Sequence, residues 1–179
     1  MNLIELQNKI HLQNINKGWW DEHRSFSRIT NLNLSEVSES VEAHRKDLMD
    51  DKLKSYKGVP VEAADGCIRA FDALSSLKNE NFEASDQAIF IIKKNSHDVE
   101  YLLSFSSLCF VKAWESYEIN GLVEDSKQYL IDAIHSLFEI IIAYGHNPVD
   151  LMLEKIDFNE TRDDHKKENR QGLVGQKRY

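Results

Sequence analysis

Residues 34–72 read LSEVSESVEAHRKDLMDDKLKSYKGVPVEAADGCIRAFD, and two acidic pairs in this stretch, Glu36 with Glu39 and Glu62 with Asp65, organise the rest of the chain. Three residues advance an α-helix by about 300°, so each pair lies on one helical stripe, roughly 60° apart in projection. The charged segment 49–59 ends in Gly58-Val59 before Pro60, which predicts a connection followed by a helix with proline at its first position. About ten loop residues span up to about 33 Å, enough to fold the second helix back and bring Glu62 level with Glu39. Four carboxylates then converge.

Two like charges about 4 Å apart repel by roughly 4 kcal/mol at an effective dielectric near 20, so such a cluster calls for a cation. Oxygen-only ligands favour Mg²⁺ or Mn²⁺ over zinc. A plainer reading of the same spacing also stands. Glutamates at i and i+3 are common on solvated faces, and Glu62, at the third helical position, would serve as a capping residue.

Glu36-x-x-Glu39 followed by Glu62-x-x-Asp65 resembles the signature of the all-α NTP pyrophosphohydrolases, the MazG-like and dimeric dUTPase-like superfamily. The surrounding words resemble its phage and bacterial MazG-like branch: KGWWDEHRSF from Lys17, EVSESVEAHRKD from Glu36, KGVPVEAADGCIRAFD from Lys57 and KIDFNETR from Lys155. The resemblance covers residues 8–78 and 150–179 and leaves the middle of the chain unmatched. It implies an all-α helical bundle with a four-helix core, forming a homodimer or higher homo-oligomer. It also implies a Mg²⁺-dependent enzyme, Mn²⁺ being possible, that cleaves a nucleoside triphosphate to the monophosphate and pyrophosphate.

In that reading Glu36, Glu39, Glu62 and Asp65 hold the metal, and Glu39 is the candidate general base. Trp20 and His11 stand where some relatives contact the nucleobase; packing of the tryptophan over a helix end is the alternative. Lys155, Asn159 and Arg162 are spaced by four and three residues, so a cation, an amide and a guanidinium share one helical face. Relatives use this triplet for phosphate, although alone it would read as a solvated face. Glu62, Asp65, Arg69 and Asp72 form one stripe, with Asp72 either an outer ligand, an orienter of Arg69 or half of a solvated ion pair.

Only seven glycines and two prolines in 179 residues leave long stretches free of breakers, which argues for an all-α protein. The length suits a single domain over 1–179. A formal net charge of −8 disfavours a nucleic-acid backbone as main partner. No stretch approaches the roughly 20 apolar residues of a membrane span. MNLIELQNKIH lacks the basic start and apolar run of a signal peptide, so a cytoplasmic protein is expected.

Periodicity predicts a first helix over 3–15, with Leu3, Leu6 and Ile10 on one stripe, Ile4, Leu12 and Ile15 widening it, and Gly18 ending it. Ser25 or Thr30 caps a second helix reaching Asp47, with Ile29, Leu32, Val37, Val41 and Leu48 apolar, and a third runs from Pro60 to Leu77. Further helices are predicted over 82–94, 98–119 and 123–144. Residues 81–145 are read as an inserted helical hairpin that extends the bundle and a dimer interface, shaping of the nucleotide pocket being the alternative. Asn147-Pro148 starts the last helix. Cys67 and Cys109 read as buried free thiols and His135 as a satisfied core histidine. The tail 163–179, with Lys166, Lys167, Arg170, Lys177 and Arg178, is read either as a phosphate-closing segment or as disordered.

Other chemistries fit less well. A ferritin-like di-metal site needs Glu-x-x-His pairs, and no histidine follows a glutamate by three residues here. There is neither a glycine-rich phosphate loop nor a nucleophile elbow. A non-catalytic helical interaction protein with solvated acidic faces is the remaining alternative.

Overall fold

The computed structural model describes residues 1–162; the basic tail predicted over 163–179 lies outside them. The described chain is all-helical, as the scarcity of breakers requires. In order come α1 (Leu3–Asn16), α2 (Phe26–Lys46), α3 (Gly58–Ser76), α4 (Asp86–Lys94) and α5 (Val99–Trp114). A π-helical turn (Glu115–Ile119), α6 (Val123–Ala143) and α7 (Pro148–Thr161) follow. Among the described residues no helix is long and apolar enough to cross a membrane.

Short polar side chains start most helices by accepting from their first free N–H groups. Asn2 does so for α1 in a capping box with Glu5, Ser25 for α2, Ser85 for α4, Asp98 for α5 and Asn147 for α7. Gly18 beyond α1 and Gly145 beyond α6 adopt positive φ. The proline of α3 stands third in its helix, not first. Gly58 and Val59 already have helical geometry, because the first-turn N–H groups need no intrahelical partner and a proline there removes nothing. This places Glu62 at the fifth position, beyond the reach of a cap.

α2 packs on α3 and α5, and α6 packs on α3 and α5. The four helices close into a ring around Phe71, Leu74, Leu102, Phe110, Ile134 and Leu137, all fully buried. The segment 81–145, read as an inserted helical hairpin, thus supplies α5 and α6, two of these four helices. α1 lies against α3, and α7 against α3 and α6. α4 begins at Asp86, four residues later than predicted. The residues before it stay outside the helix: Asp132 accepts from both the N–H and the hydroxyl of the N-cap Ser85 (2.8 and 2.7 Å), and Phe82 stacks on Phe71.

His135 is a satisfied histidine, its Nε2 donating to the Phe82 carbonyl (2.8 Å). Both cysteines are buried and free; burial holds the Cys67 thiol well above its ordinary pKa and pushes Cys109 up to about 12. The buried stripes are narrower than the periodicity predicts: Leu12 is 60% exposed, and Ile15, Val41 and Leu48 are exposed as well.

Candidate metal centre

Glu36 enters the site from α2, and Glu62 and Asp65 enter from α3. One carboxylate oxygen from each lies within 4.8 Å of the others. α2 and α3 meet beside Gly66, where a Cβ would stand 3.7 Å from the Glu36 Cβ, an ordinary contact, and 3.1 Å from Leu137 Cδ1. A six-coordinate cation sets opposite oxygen ligands about 4–5 Å apart, so both the span and the donor chemistry fit a hard divalent cation.

Two cations of the chain itself stand at this cluster. Arg69 Nη2 is 2.6 Å from Glu36 Oε1, and Lys155 Nζ, on α7, is 2.9 Å from Asp65 Oδ2. Three carboxylates against two positive charges leave the centre under-neutralised. Burial pushes the Glu36 carboxyl up to about 7 despite Arg69, with Asp65 and Glu39 adding to the rise. Burial and the charge of Asp65 push Glu62 up to about 8 despite Lys155. Burial works against the charge on Lys155, but Asp65, Glu62 and Asp50 outweigh it and hold its pKa above the ordinary lysine value. Near neutral pH the cluster thus retains protons that a metal ion would displace.

Glu39, the fourth predicted ligand, stands apart from the trio. It is exposed on the wall of the same cleft, since the turn from i to i+3 carries it out of the seam between α2 and α3.

Asp72 neither orients Arg69 nor forms a solvated ion pair. Only 4% exposed, it accepts from Trp20 Nε1 (3.0 and 3.2 Å to its two oxygens) and from His11 Nδ1 (2.6 Å), with Arg24 Nη1 at 3.8 Å. Arg69 is committed to Glu36 instead. The His11 and Trp20 rings meet edge to face at 5.2 Å, and the Arg24 guanidinium lies over both Trp19 and Trp20, at 5.5 and 5.4 Å from their ring centres. Arg24 was not predicted, although the signal was a basic residue four positions after paired tryptophans.

An open cleft of roughly 1570 Å³ joins the carboxylate cluster to this aromatic wall. Every predicted site residue lines it except His11, which stands behind Trp20. α7 is fixed at the cleft by Tyr56 Oη donating to Glu154 (2.6 Å) and Lys17 Nζ donating to the Asn159 carbonyl (2.8 Å). The buried side-chain oxygen of Asn159 has no hydrogen-bond partner among the described residues, so the fold does not use that end of the amide. Arg162 closes α7 at the same cleft.

No family model matches the chain, and no solved structure matches it. Among curated proteins it is 28% identical over 145 residues to the GTPase Obg of Mycoplasmopsis pulmonis (strain UAB CTIP), a stretch covering 76% of this chain and 32% of that protein. The chain thus spans about a third of the length of the curated relative it matches.

Proposed function

We propose that the cleft binds a nucleoside triphosphate with a divalent cation, Mg²⁺ or Mn²⁺, and hydrolyses it to the monophosphate and pyrophosphate. The observation that carries this reading is one cleft holding the trio Glu36, Glu62 and Asp65 beside Lys155, Asn159 and Arg162, with Trp20 on another wall. The carboxylate trio would hold the cation. When bound, the cation offsets phosphate charge and lowers the pKa of a water it holds.

Glu39, outside the trio, takes the proton as the water oxygen bonds to the α-phosphorus and the bond to the bridging oxygen breaks, its electron pair leaving with pyrophosphate. Lys155, Asn159 and Arg162 meet the charge gathering on that leaving group. Trp20, its N–H committed to Asp72, meets a base through its ring surface. The same reading makes the protein a cytoplasmic, homo-oligomeric enzyme of the nucleotide pool. A GTPase reading, suggested by the name of the matched protein, has no G-x-x-x-x-G-K-[ST] loop to support it.

The test is a panel of ribo- and deoxynucleoside triphosphates with Mg²⁺, assayed separately for pyrophosphate and orthophosphate. Pyrophosphate release that disappears in Glu62→Gln is expected. Release of orthophosphate alone would replace the proposed bond choice with that of a GTPase. Inertness toward every nucleotide would leave the helical interaction protein as the better account.

A further inference from the structure

We propose that Lys155 is a built-in counter-ion of the metal centre, held by Asp65 in the metal-free protein and handed to the polyphosphate when a divalent cation takes Asp65. This rests on the metal-dependent reading above. The Lys155 ammonium lies 2.9 Å from Asp65 Oδ2, and its side chain is 4% exposed. A lysine and a divalent cation on one carboxylate would bring three positive charges together, so the two compete for Asp65.

The two internal cations differ in what they can do once displaced. Arg69 is 39% exposed, and water can solvate it if Glu36 turns to a metal. Lys155 springs from a helix whose Leu151, Met152 and Ile156 are buried, so its backbone is anchored and its charge cannot simply be given to solvent. An unpaired buried ammonium is costly, and of the other carboxylates acting on it Glu62 goes to the metal with Asp65 while Asp50 already accepts from the Lys52 and Leu53 N–H groups, so full release calls for a further anion within reach of Lys155 Nζ. Asn159 and Arg162, one and two turns further along α7 at the same cleft, mark where that anion would be received. Metal without polyphosphate, and polyphosphate without metal, each leave one charge poorly matched, whereas the two together satisfy all of them. The exchange therefore couples the two ligands positively.

Calorimetric titration with Mg²⁺ alone, in mildly alkaline buffer so that protons compete little, separates the outcomes. Lys155→Met and Lys155→Gln should both bind Mg²⁺ roughly tenfold tighter than the parent, within the usual range for coupled sites. In the parent, ¹⁵N spectra of the lysine ammonium groups should show the buried, ion-paired Lys155 signal, set apart from the exposed pairs by slow exchange with water, and it should shift on Mg²⁺ addition; this readout stands if the variants fail to fold. Variants that bind Mg²⁺ no tighter than the parent, or an ammonium signal that Mg²⁺ does not move, overturn the exchange while leaving the metal site intact. Absence of Mg²⁺ binding by parent and variants alike overturns the metal reading itself.

Discussion

The two faces of α3 are built from one helix with opposite chemistry. On one face Ala63, Ala64, Cys67, Ala70, Phe71 and Leu74 are at most 1% exposed and pack into the four-helix core. On the other stand Glu62 and Asp65, with Arg69 half out in solvent. The apolar face has every reason to fold. The acidic face resists folding, because burial and mutual repulsion hold two of its associated carboxyls far above their ordinary pKa. This tension is concentrated where Glu36, Glu62 and Asp65 come together, the place among the described residues where a bound cation would relieve it.

The contrast breaks most visibly under substitution. Asp65→Asn and Glu62→Gln should lower pyrophosphate release by roughly 100-fold or more, since each removes a metal oxygen. Glu62→Gln should also leave the metal-free melting temperature unchanged or raised, because a repulsion goes with it, whereas Asp65→Asn should lower it, because the buried Lys155 loses its carboxylate partner. Glu39→Gln should lose activity but keep the Mg²⁺-induced rise in melting temperature, which separates a base from a ligand. On the apolar face, Phe71→Ala should cost about 3–5 kcal/mol of stability. Thermal melts with and without Mg²⁺, beside an assay on the same samples, read all four; a fully active Asp65→Asn would defeat the site assignment.

Acidity tests the same contrast without mutation. Glu36 and Glu62 titrate at about 7 and about 8 in the folded protein against an ordinary 4.5, so between those values the folded state holds more protons than the unfolded one. Their contribution to stability is fully present below pH 4.5 and is lost as pH rises through 7 and 8. The metal-free melting temperature should fall across that window, and Mg²⁺ should restore it increasingly as protons leave. A flat metal-free profile would mean that water reaches these carboxylates freely.

Smaller effects belong to the aromatic wall. Trp20→Ala should raise KM by an amount equivalent to about 1–3 kcal/mol, as for a stacked base, with Mg²⁺ binding unchanged. Asp72→Asn should raise KM less and shift the tryptophan fluorescence, because the amide keeps an acceptor for the indole N–H but loses the charge that His11 and Arg24 face. An unchanged KM in both would return Trp20 to the core.

Helix type and most boundaries were legible in the sequence because periodicity and capping act within a few residues of one another. The trio was legible for the same reason: Glu36 is one half of a local i, i+3 pair, and Glu62 with Asp65 forms the other. Pairings across distance were not. Asp65 with Lys155, and Asp72 with Trp20 and His11, join residues 90, 52 and 61 positions apart, and no local pattern reports them. The exposure of Glu39 and Leu12 was hidden too, since a stripe on a helical wheel shows which residues share a side but not where the neighbouring helix ends. The place of the middle of the chain in the core was not legible either, because only packing shows that α5 and α6 close it against α2 and α3.

Two glycines of α3 give the finest test of how tightly that core is drawn. At Gly58 a Cβ would stand 2.9 Å from the Ala43 Cβ, and a methyl fixed to the backbone cannot turn aside. The end of α2 must then move, and Gly58→Ala should destabilise by about 1–3 kcal/mol, the usual cost of overpacking. At Gly66 the new Cβ would meet Leu137 Cδ1 at 3.1 Å, the far end of a side chain that can yield by a few tenths of an ångström. Replacing a mid-helix glycine with alanine also gains about 0.5–1 kcal/mol of helix stability. Gly66→Ala should therefore change stability by no more than about 1 kcal/mol and leave Mg²⁺ affinity unchanged, because its 3.7 Å approach to the Glu36 Cβ is ordinary contact. Chemical denaturation of the two variants, with Mg²⁺ titration of the second, checks the difference; a Gly66→Ala protein that folds normally but loses Mg²⁺ binding would show that the seam between α2 and α3, not the carboxylates alone, sets the metal geometry.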